Sequence, residues 1–294
     1  MLSIDLFEPV RAALRSRFEA GSPGSASARV LDQRSGWSVH DIVCSCDARD
    51  RSFEECDDYV SIAVVVAGSF TYRNDFGRAL MTPGSILLGN PGRHYACGHE
   101  HGAGDRCIAF HFFPDCFESL AQVLGLRDRY FRVGRLPNLA SLGSCVTEVI
   151  TTTLRSGSFE ELTFEVAESV LRQATDCRSP PVPLRHERRV AEVARLMNDQ
   201  LQINWRITEL ARLAGMSEFH FLRTFKATLG VSPHKYLLRA RLRSGAVTLA
   251  LTDAPVTQTA IDSGFEDLSN FIHSFRRQYG TSPSAYRRTF NAKD

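Results

Sequence analysis

The residues with the most distinctive chemistry lie close together between positions 97 and 107. This stretch reads Cys-Gly-His-Glu-His-Gly-Ala-Gly-Asp-Arg-Cys, so two imidazoles, His99 and His101, are flanked by two thiols, Cys97 and Cys107. Side chains two residues apart in a strand point to the same face, and the glycines would let the loop fold back. Two thiolates and two imidazoles suit zinc or another soft transition metal. A metal site made from some subset of these four residues is therefore one interpretation.

Two other interpretations of this stretch stay open. Its spacing is not that of a familiar zinc finger, and the sequence has no paired Cys-x-x-Cys arms. The thiols could sense redox state, or the His and Cys side chains could form only local hydrogen bonds. Cys44-x-Cys46 and Cys56 are too weakly patterned for a prediction. All eight cysteines lie before residue 184, and without an export signal we expect thiols or ligands rather than disulfides.

Charge divides the chain into two unlike parts. Residues 1–183 hold 18 Lys and Arg against 23 Asp and Glu, a net charge of −5, whereas residues 184–294 hold 17 against 10, a net charge of +7. A basic domain joined to an acidic one indicates a polyanion as the partner of the C-terminal part.

An internal repeat dominates the basic part. The segment Ile207-Thr-Glu-Leu-Ala aligns with Val256-Thr-Gln-Thr-Ala at an offset of 49, and beyond one inserted residue aromatic and glycine positions recur at an offset of 50. Each copy predicts a short helix, a turn at Gly215 or Gly264, and a second helix. Thr208 and Thr257 are the expected N-caps of the first helices, and Ser217 and Asp267 of the second. This is helix-turn-helix spacing, in which the second helix can enter a DNA major groove.

Residues 186–290 resemble the AraC-type transcription regulators. The most specific segments are Ile207-Thr-Glu-Leu-Ala-Arg-Leu-Ala-Gly-Met-Ser, His220-Phe-Leu-Arg-Thr-Phe-Lys, Gly264-Phe-Glu-Asp-Leu-Ser-Asn-Phe and Phe275-Arg-Arg-Gln-Tyr-Gly-Thr-Ser-Pro-Ser-Ala-Tyr-Arg. The resemblance implies a seven-helix domain with two helix-turn-helix units joined by a long helix, here about 233–250. This helix departs from the family at Gly245 and Thr248, and a glycine within a helix costs about 1 kcal/mol relative to alanine.

Helical position and the resemblance together indicate which side chains face DNA. Phe221, Phe225, Phe271 and Phe275 are four apart within each helix and belong to the core. The residues expected to read bases are Phe219, Leu222, Arg223, Ser269, Asn270 and His273. Of these, Arg223 best suits guanine, since a guanidinium can donate to both O6 and N7. The residues expected to contact phosphates are Lys226, Arg239, Arg241, Arg243, Arg276 and Arg277.

The acidic part predicts strands and then helices. Residues 21–28 indicate a flexible stretch after a loosely attached helix, and short Val-, Ile- and Phe-rich runs at 59–66, 69–72, 85–88 and 107–113 indicate an antiparallel sandwich or small barrel. A helical period at 115–178 indicates a helical hairpin, and Ser-Pro-Pro-Val-Pro starts a linker.

Part of this region resembles the cupin-like sensor domains that precede AraC-type domains. The similar residues are Gly68-Ser-Phe-Thr-Tyr-Arg, Thr82-Pro-Gly-Ser-Ile-Leu-Leu-Gly-Asn-Pro-Gly-Arg-His and Phe110-His-Phe. The expected fold class is α+β: an N-terminal cupin-like β-barrel with a helical hairpin (1–178), a linker (179–185) and an all-α seven-helix DNA-binding domain with two helix-turn-helix units (186–294).

The leading hypothesis is a sequence-specific transcription regulator, most simply an activator, that binds double-stranded DNA. The resemblance implies an effector, small molecule or metal, at the N-terminal domain, a homodimer formed through the 115–178 helices, and RNA polymerase as a partner. A metal-dependent cupin-type enzyme tethered to DNA is the main alternative, beside an alkyl-transfer repair protein and an architectural DNA binder. No apolar stretch reaches the roughly 18 residues of a membrane span, and the N-terminus lacks a signal peptide's pattern, so we expect a cytoplasmic protein without a membrane partner.

Overall fold

The structure is a computed structural model that describes residues 4–99, 103–125, 130–174 and 182–291. Its strands, in chain order, are β1 (Ala26–Arg34), β2 (Trp37–Cys44), β3 (Phe53–Asp57), β4 (Val60–Gly68), β5 (Phe70–Asn74), β6 (Gly77–Met81), β7 (Ile86–Gly89), β8 (Arg93–Gly98), β9 (Asp105–Phe112) and β10 (Arg135–Leu136). The four predicted runs correspond to β4, β5, β7 and β9.

The strands form two sheets rather than the closed barrel that the cupin resemblance implies. One sheet has the order β1-β2-β9-β4-β7-β10, and the other has the order β3-β8-β5-β6. The pairings are antiparallel throughout, including that of β4 with both β7 and β9. Since β1 and β10 each pair on one side only, the described strands of the larger sheet keep two open edges, and the predicted barrel is corrected to a pair of sheets.

The strand β4 explains how the sheets pack. Its side chains alternate in direction, so Ile62 and Val64 lie in one apolar core with the helices, and Ala63 and Val65 lie in another, between the sheets. Both sets are buried. A continuous apolar run is typical of a strand that is covered on both faces.

The N-terminal helix α1 (Glu8–Ala20) is tied to the sheet and is not loosely attached as predicted. Val10 is fully buried, and Arg17 donates to the backbone oxygen of Ser45 (2.7 Å) and to Asp50 (3.1 Å). The predicted flexible stretch at 21–28 also needs correction, since its last residues begin β1.

Three helices follow the strands: α2 (Pro114–Val123), α3 (Gly143–Arg155) and α4 (Glu160–Gln173). The predicted hairpin corresponds to α3 and α4. Val149 of α3 and Val166 of α4 are fully buried in the helix-facing core of the large sheet. The same α3 also packs on the C-terminal domain, so it lies between the two halves of the protein.

The C-terminal domain has the seven helices that the family resemblance implies. They are α5 (Leu184–Asp199), α6 (Ile207–Leu213), α7 (Glu218–Leu229), α8 (Pro233–Leu251), α9 (Val256–Asp262), α10 (Leu268–Tyr279) and α11 (Pro283–Asn291). Of the predicted linker at 179–185, residues 179–181 lie outside the described part of the chain, as does Cys177, and α5 already begins at Leu184.

The cores of the two halves interpenetrate. Leu80 of β6 is 1% exposed and lies in the core that α5, α6 and α7 form, and Val247 of α8 is 2% exposed and lies in the core of the large sheet. The two halves therefore pack as one unit. Within the described residues, no helix has both the length and the apolar character that crossing a membrane requires.

Candidate nucleic-acid interface

The first helix-turn-helix unit is built by α6 and α7. Gly215 makes the turn with a φ of +60°, a conformation that costs glycine little. Ser217 caps α7 by accepting from the backbone N–H of His220. Phe221 and Phe225 are fully buried, so they fix the side of α7 that faces the core.

The second unit repeats this plan with α9 and α10. Gly264 turns with a φ of +89°, and Asp267 accepts from the backbone N–H groups of Ser269 (3.1 Å) and Asn270 (2.9 Å). Phe271 and Phe275 are fully buried. The two units thus present matching helices, as the repeat predicts.

The first helix of each unit starts two residues earlier than the predicted caps imply. α6 has Arg206 as its N-cap residue and α9 has Pro255. Thr208 and Thr257 therefore lie within the first turn and do not cap. In α6 the carboxylate of Glu209 instead accepts from the backbone N–H of Arg206 (3.1 Å), which satisfies one of the helix's open donors.

Every predicted base-reading side chain is exposed. Phe219 is 76% exposed and Leu222 is 38% exposed. The other exposed members are Arg223 on α7 and Ser269, Asn270 and His273 on α10. These side chains lie opposite the buried phenylalanines, on the face of each helix that a duplex can reach.

Three of the six predicted phosphate contacts are exposed on the same two helices. Lys226 lies one turn beyond Arg223 on α7, and Arg276 and Arg277 lie near the end of α10. Cations in these positions can meet phosphates beside the groove and contribute affinity without sequence information.

The other three, all on α8, are placed differently from the prediction. Arg243 is 9% exposed, and burial lowers its pKa. Arg239 donates to the backbone oxygen of Asn138. Arg241 donates to the backbone oxygens of Leu201 (2.7 Å) and Ile203 (3.0 Å). Two of these guanidinium groups thus bond backbone oxygens and the third is buried, and their assignment as phosphate contacts stays a prediction.

A segment of the N-terminal half contacts the ends of both recognition helices, which sequence reasoning missed. We call this stretch, residues 135–147, the connecting segment. Its first residues contact the C-terminal end of α7. There Arg135 donates to the backbone oxygens of Leu80 (2.9 Å) and Thr228 (2.8 Å). Gly230, just after α7, approaches Pro137 so closely that a Cβ would lie 2.7 Å from the ring.

The same connecting segment reaches α10. Gln278 donates to the backbone oxygen of Ala140 (2.5 Å), and the hydroxyl of Tyr279 lies 3.0 Å from that of Thr147. The partners are more than a hundred residues apart in sequence, so no local spacing signals these contacts.

The four predicted metal ligands do not form one group among the described residues. His101 lies outside them. Cys97 belongs to β8 and Cys107 to β9, in different sheets. His99 is buried and its Nε2 lies 2.5 Å from the carboxylate of Asp105. Burial raises the pKa of the Cys107 thiol, and the neighbouring Asp105 charge adds to that effect.

Comparison with known proteins adds to this geometry. Residues 210–289 match the family described as "Helix-turn-helix domain". The HTH-type transcriptional regulator MtrA of Neisseria gonorrhoeae is 32% identical over 102 residues, which are 35% of this chain and 34% of that protein. The chain thus aligns with about a third of the length of this curated relative.

Two solved structures are each similar to about a third of the chain. The DNA-binding domain of AdpA, in complex with a target DNA, is 31% identical, covers 36% of this chain and 95% of its own, and has a TM-score of 0.35. A transcriptional regulator from Chromobacterium violaceum, whose description names AraC-type DNA-binding domains, is 25% identical, covers 35% of this chain and 91% of its own, and has a TM-score of 0.33.

The duplicated, glycine-turned helix pairs and the matching family place the C-terminal domain among helix-turn-helix DNA-binding domains. Over this domain, about a third of its length, the chain is similar to HTH-type transcriptional regulators.

Proposed function

We propose that this protein regulates transcription by binding a specific double-stranded DNA sequence with α7 and α10 in successive major-groove segments. The observation that carries the proposal is the pair of exposed helix faces with Arg223 on one and His273 on the other, each backed by buried phenylalanines. Recognition helices of a paired unit read sites about 34 Å apart along one face of the duplex.

The test is selection of duplexes from a random library by the full-length protein, followed by affinity measurement at several salt concentrations. We expect a selected site with two conserved blocks one helical turn apart. Affinity should fall with salt at a slope of about −0.9 per phosphate contact, and Lys226→Ala should reduce the slope by about one such contact. Selection that yields no shared sequence, or one block only, would contradict the proposal.

We further propose that a small-molecule effector, bound at the N-terminal half, controls DNA binding. A cleft of 660 Å³ lies between β5, β6 and residues 132–135 on one side and α5 and α7 on the other. Tyr72, Phe76 and Arg78 line it, and Arg78 pairs with Glu187 of α5 across it (2.9 Å). A cavity of this size lies within the range of small-molecule sites.

A ligand in this cleft would act through the connecting segment. Arg135 lines the cleft and bonds the end of α7, and residues further along the segment bond the end of α10. A ligand that favours one pose of this segment therefore changes the relative position of the two recognition helices, provided that it binds the two poses with different affinities. Ligand-dependent DNA affinity, measured with a small-molecule library and the selected duplex, tests this.

We also propose activation through contact with RNA polymerase and a homodimer formed by the 115–178 helices. The family resemblance supports the contact with RNA polymerase.

The homodimer would use α2 and α4, because α3 is covered on both sides. Val123 on α2 is 83% exposed and Phe164 on α4 is 38% exposed. Reporter transcription with and without the protein tests activation, and sedimentation of Phe164→Glu against wild type tests the dimer.

A further inference from the structure

Three buried side chains that could bind a metal ion converge at one end of the large sheet. Cys44 ends β2, Cys46 lies two residues later, and His99 follows β8. Their ligand atoms all lie within 4.8 Å of one another. The residues are 3%, 4% and 4% exposed, in that order. Only His99 belongs to the group that the sequence singled out.

The imidazole of His99 is oriented so that one ring nitrogen is available to a metal ion. Its Nε2 lies 2.5 Å from Oδ1 of Asp105, at hydrogen-bonding distance. Its buried Nδ1 has no hydrogen-bond partner among the residues that the structure describes. When Nε2–H donates to the carboxylate, Nδ1 carries a lone pair, and a buried acceptor without a partner is costly. Metal-binding histidines typically donate their other ring N–H to a carboxylate in this way.

The loop that carries the two cysteines is fixed by surrounding segments. Gly104 donates its backbone N–H to the oxygen of Cys46 (2.8 Å), and the backbone N–H of Ser45 donates to the oxygen of Ser25 (2.9 Å). Arg17 of α1 donates to the oxygen of Ser45 (2.7 Å). The two thiols therefore keep their places beside the imidazole without a metal to hold them, which lowers the entropy lost on binding.

We propose that Cys44, Cys46 and Nδ1 of His99 bind one thiophilic metal ion, with Asp105 as the positioning residue. Two thiolates and an imidazole suit Zn(II) and Cu(I) and suit hard cations such as Mg²⁺ poorly. Each thiol loses its proton to solvent when its sulfur bonds the ion. Zn(II) usually takes four ligands, so it would recruit one further group, whereas Cu(I) is satisfied by three.

The site lies apart from the residues assigned to DNA recognition. Its residues come from α1-facing loops and strand ends of the N-terminal half, and none belongs to the connecting segment or to the cleft. An ion there would join the end of β2 to the segment between β8 and β9.

The test uses the reduced, metal-free full-length protein titrated with Zn(II) or with Cu(I) against a competing chelator. We expect one equivalent of bound metal, with X-ray absorption giving two sulfur neighbours, at about 2.3 Å for zinc, and a nitrogen neighbour at about 2.0–2.1 Å. The number of neighbours distinguishes the two ions, because Zn(II) should show a fourth ligand and Cu(I) only three. The double variant Cys44→Ser/Cys46→Ser should lose this equivalent, and Cys56→Ser, which changes an exposed thiol on β3, should keep it.

Asp105→Asn tests the positioning role. It should keep the stoichiometry and the sulfur neighbours but weaken metal affinity by about 10- to 100-fold. No metal bound to the reduced wild-type protein, a metal retained by the double variant, or an absorption spectrum without two sulfur neighbours would each overturn the proposal. The wild-type spectrum decides the matter if the double variant fails to fold, which circular dichroism reports.

Discussion

Arg223 and His273 are the side chains on which sequence recognition is expected to depend most directly. Both are exposed on recognition helices whose opposite faces are anchored by buried phenylalanines. We expect Arg223→Ala to cost about 1–3 kcal/mol of discrimination in one block of the selected site, and His273→Ala to relax preference in the other block. Competition binding against every single-base variant of the site measures this.

The control for these variants is Arg276→Ala, because a phosphate contact carries no sequence information. It should weaken all duplexes about equally. A uniform loss for all three variants would mean that Arg223 and His273 do not read bases.

Another residue-scale prediction concerns the buried ion pair of Asp41 and Arg106. Their side chains are 6% exposed, with two hydrogen bonds of 2.8 and 3.0 Å. Burial raises the pKa of Asp41, but the charges and hydrogen bonds of Arg106 and Arg29 outweigh burial, so the pKa lies below its ordinary value. A carboxyl of this kind contributes stability above its unfolded-state pKa and loses it as pH falls through the folded pKa.

We therefore expect Asp41→Asn to lower the free energy of unfolding at pH 7 by about 3–5 kcal/mol, since Arg106 keeps a buried charge without its counterion. The difference from wild type should begin to shrink below about pH 4, where the carboxyl of the unfolded chain protonates, and should be lost as pH falls through the lower folded-state pKa of Asp41. Urea unfolding at both pH values measures this. The exposed pair of Asp75 and Arg93 is the control, and Asp75→Asn should cost less than about 1 kcal/mol. Equal losses in both variants would refute the argument.

At the scale of elements, α8 shows why a glycine occurs in the middle of a long helix. A Cβ at Gly245 would lie 3.0 Å from the ring of Phe271 and 3.0 Å from the hydroxyl of Ser263. The glycine lets α8 approach the second helix-turn-helix unit closely, so the predicted softness of this helix is offset by packing.

Gly245→Ala therefore sets two effects against each other. Alanine gains about 1 kcal/mol of helix propensity, and overpacking a filled core costs about 1–3 kcal/mol. We expect a net loss of thermal stability, accompanied by weaker binding to the block that α10 reads. Ser244→Ala, the neighbouring change in the same helix, should not lower stability. A more stable Gly245→Ala protein would show that Phe271 can move aside freely.

At the scale of the whole molecule, the two halves are coupled through Arg135. Its guanidinium is buried and donates hydrogen bonds to backbone oxygens on both sides of the boundary, in β6 and in α7. We expect Arg135→Ala to destabilise the protein by about 1–3 kcal/mol, because buried carbonyls lose a donor. The urea transition should also broaden or split, since the halves then unfold less cooperatively.

The matched control is Arg132→Ala, an exposed residue of the same region. It should leave the unfolding transition single. A single, unshifted transition for Arg135→Ala would show that the interpenetrating cores alone couple the halves.

The sequence suggested that residues 186–294 would fold alone. Such a fragment would lack Leu80, which is 1% exposed in the core of this domain. We therefore expect the fragment to be less stable than the domain within the full chain.

Local chemistry by itself determined much of the DNA-binding half. Gly215 and Gly264, the caps Ser217 and Asp267, and the phenylalanines four residues apart all act over one or two helical turns, so their spacing is enough to predict two recognition helices and their exposed faces. The runs that correspond to β4, β5, β7 and β9 were predicted for the same reason, since apolar runs bounded by turn residues are local signals.

Only the tertiary structure decided which charged and metal-binding side chains meet. Arg243 looks like a surface cation in its own helix and becomes buried because the N-terminal half covers α8. Cys44 and Cys46 gain His99 as a neighbour because the end of β2 in one sheet meets the end of β8 in the other. Such contacts depend on strand order and domain packing, which result from the burial of apolar surface over the whole chain and not from the spacing of any one segment.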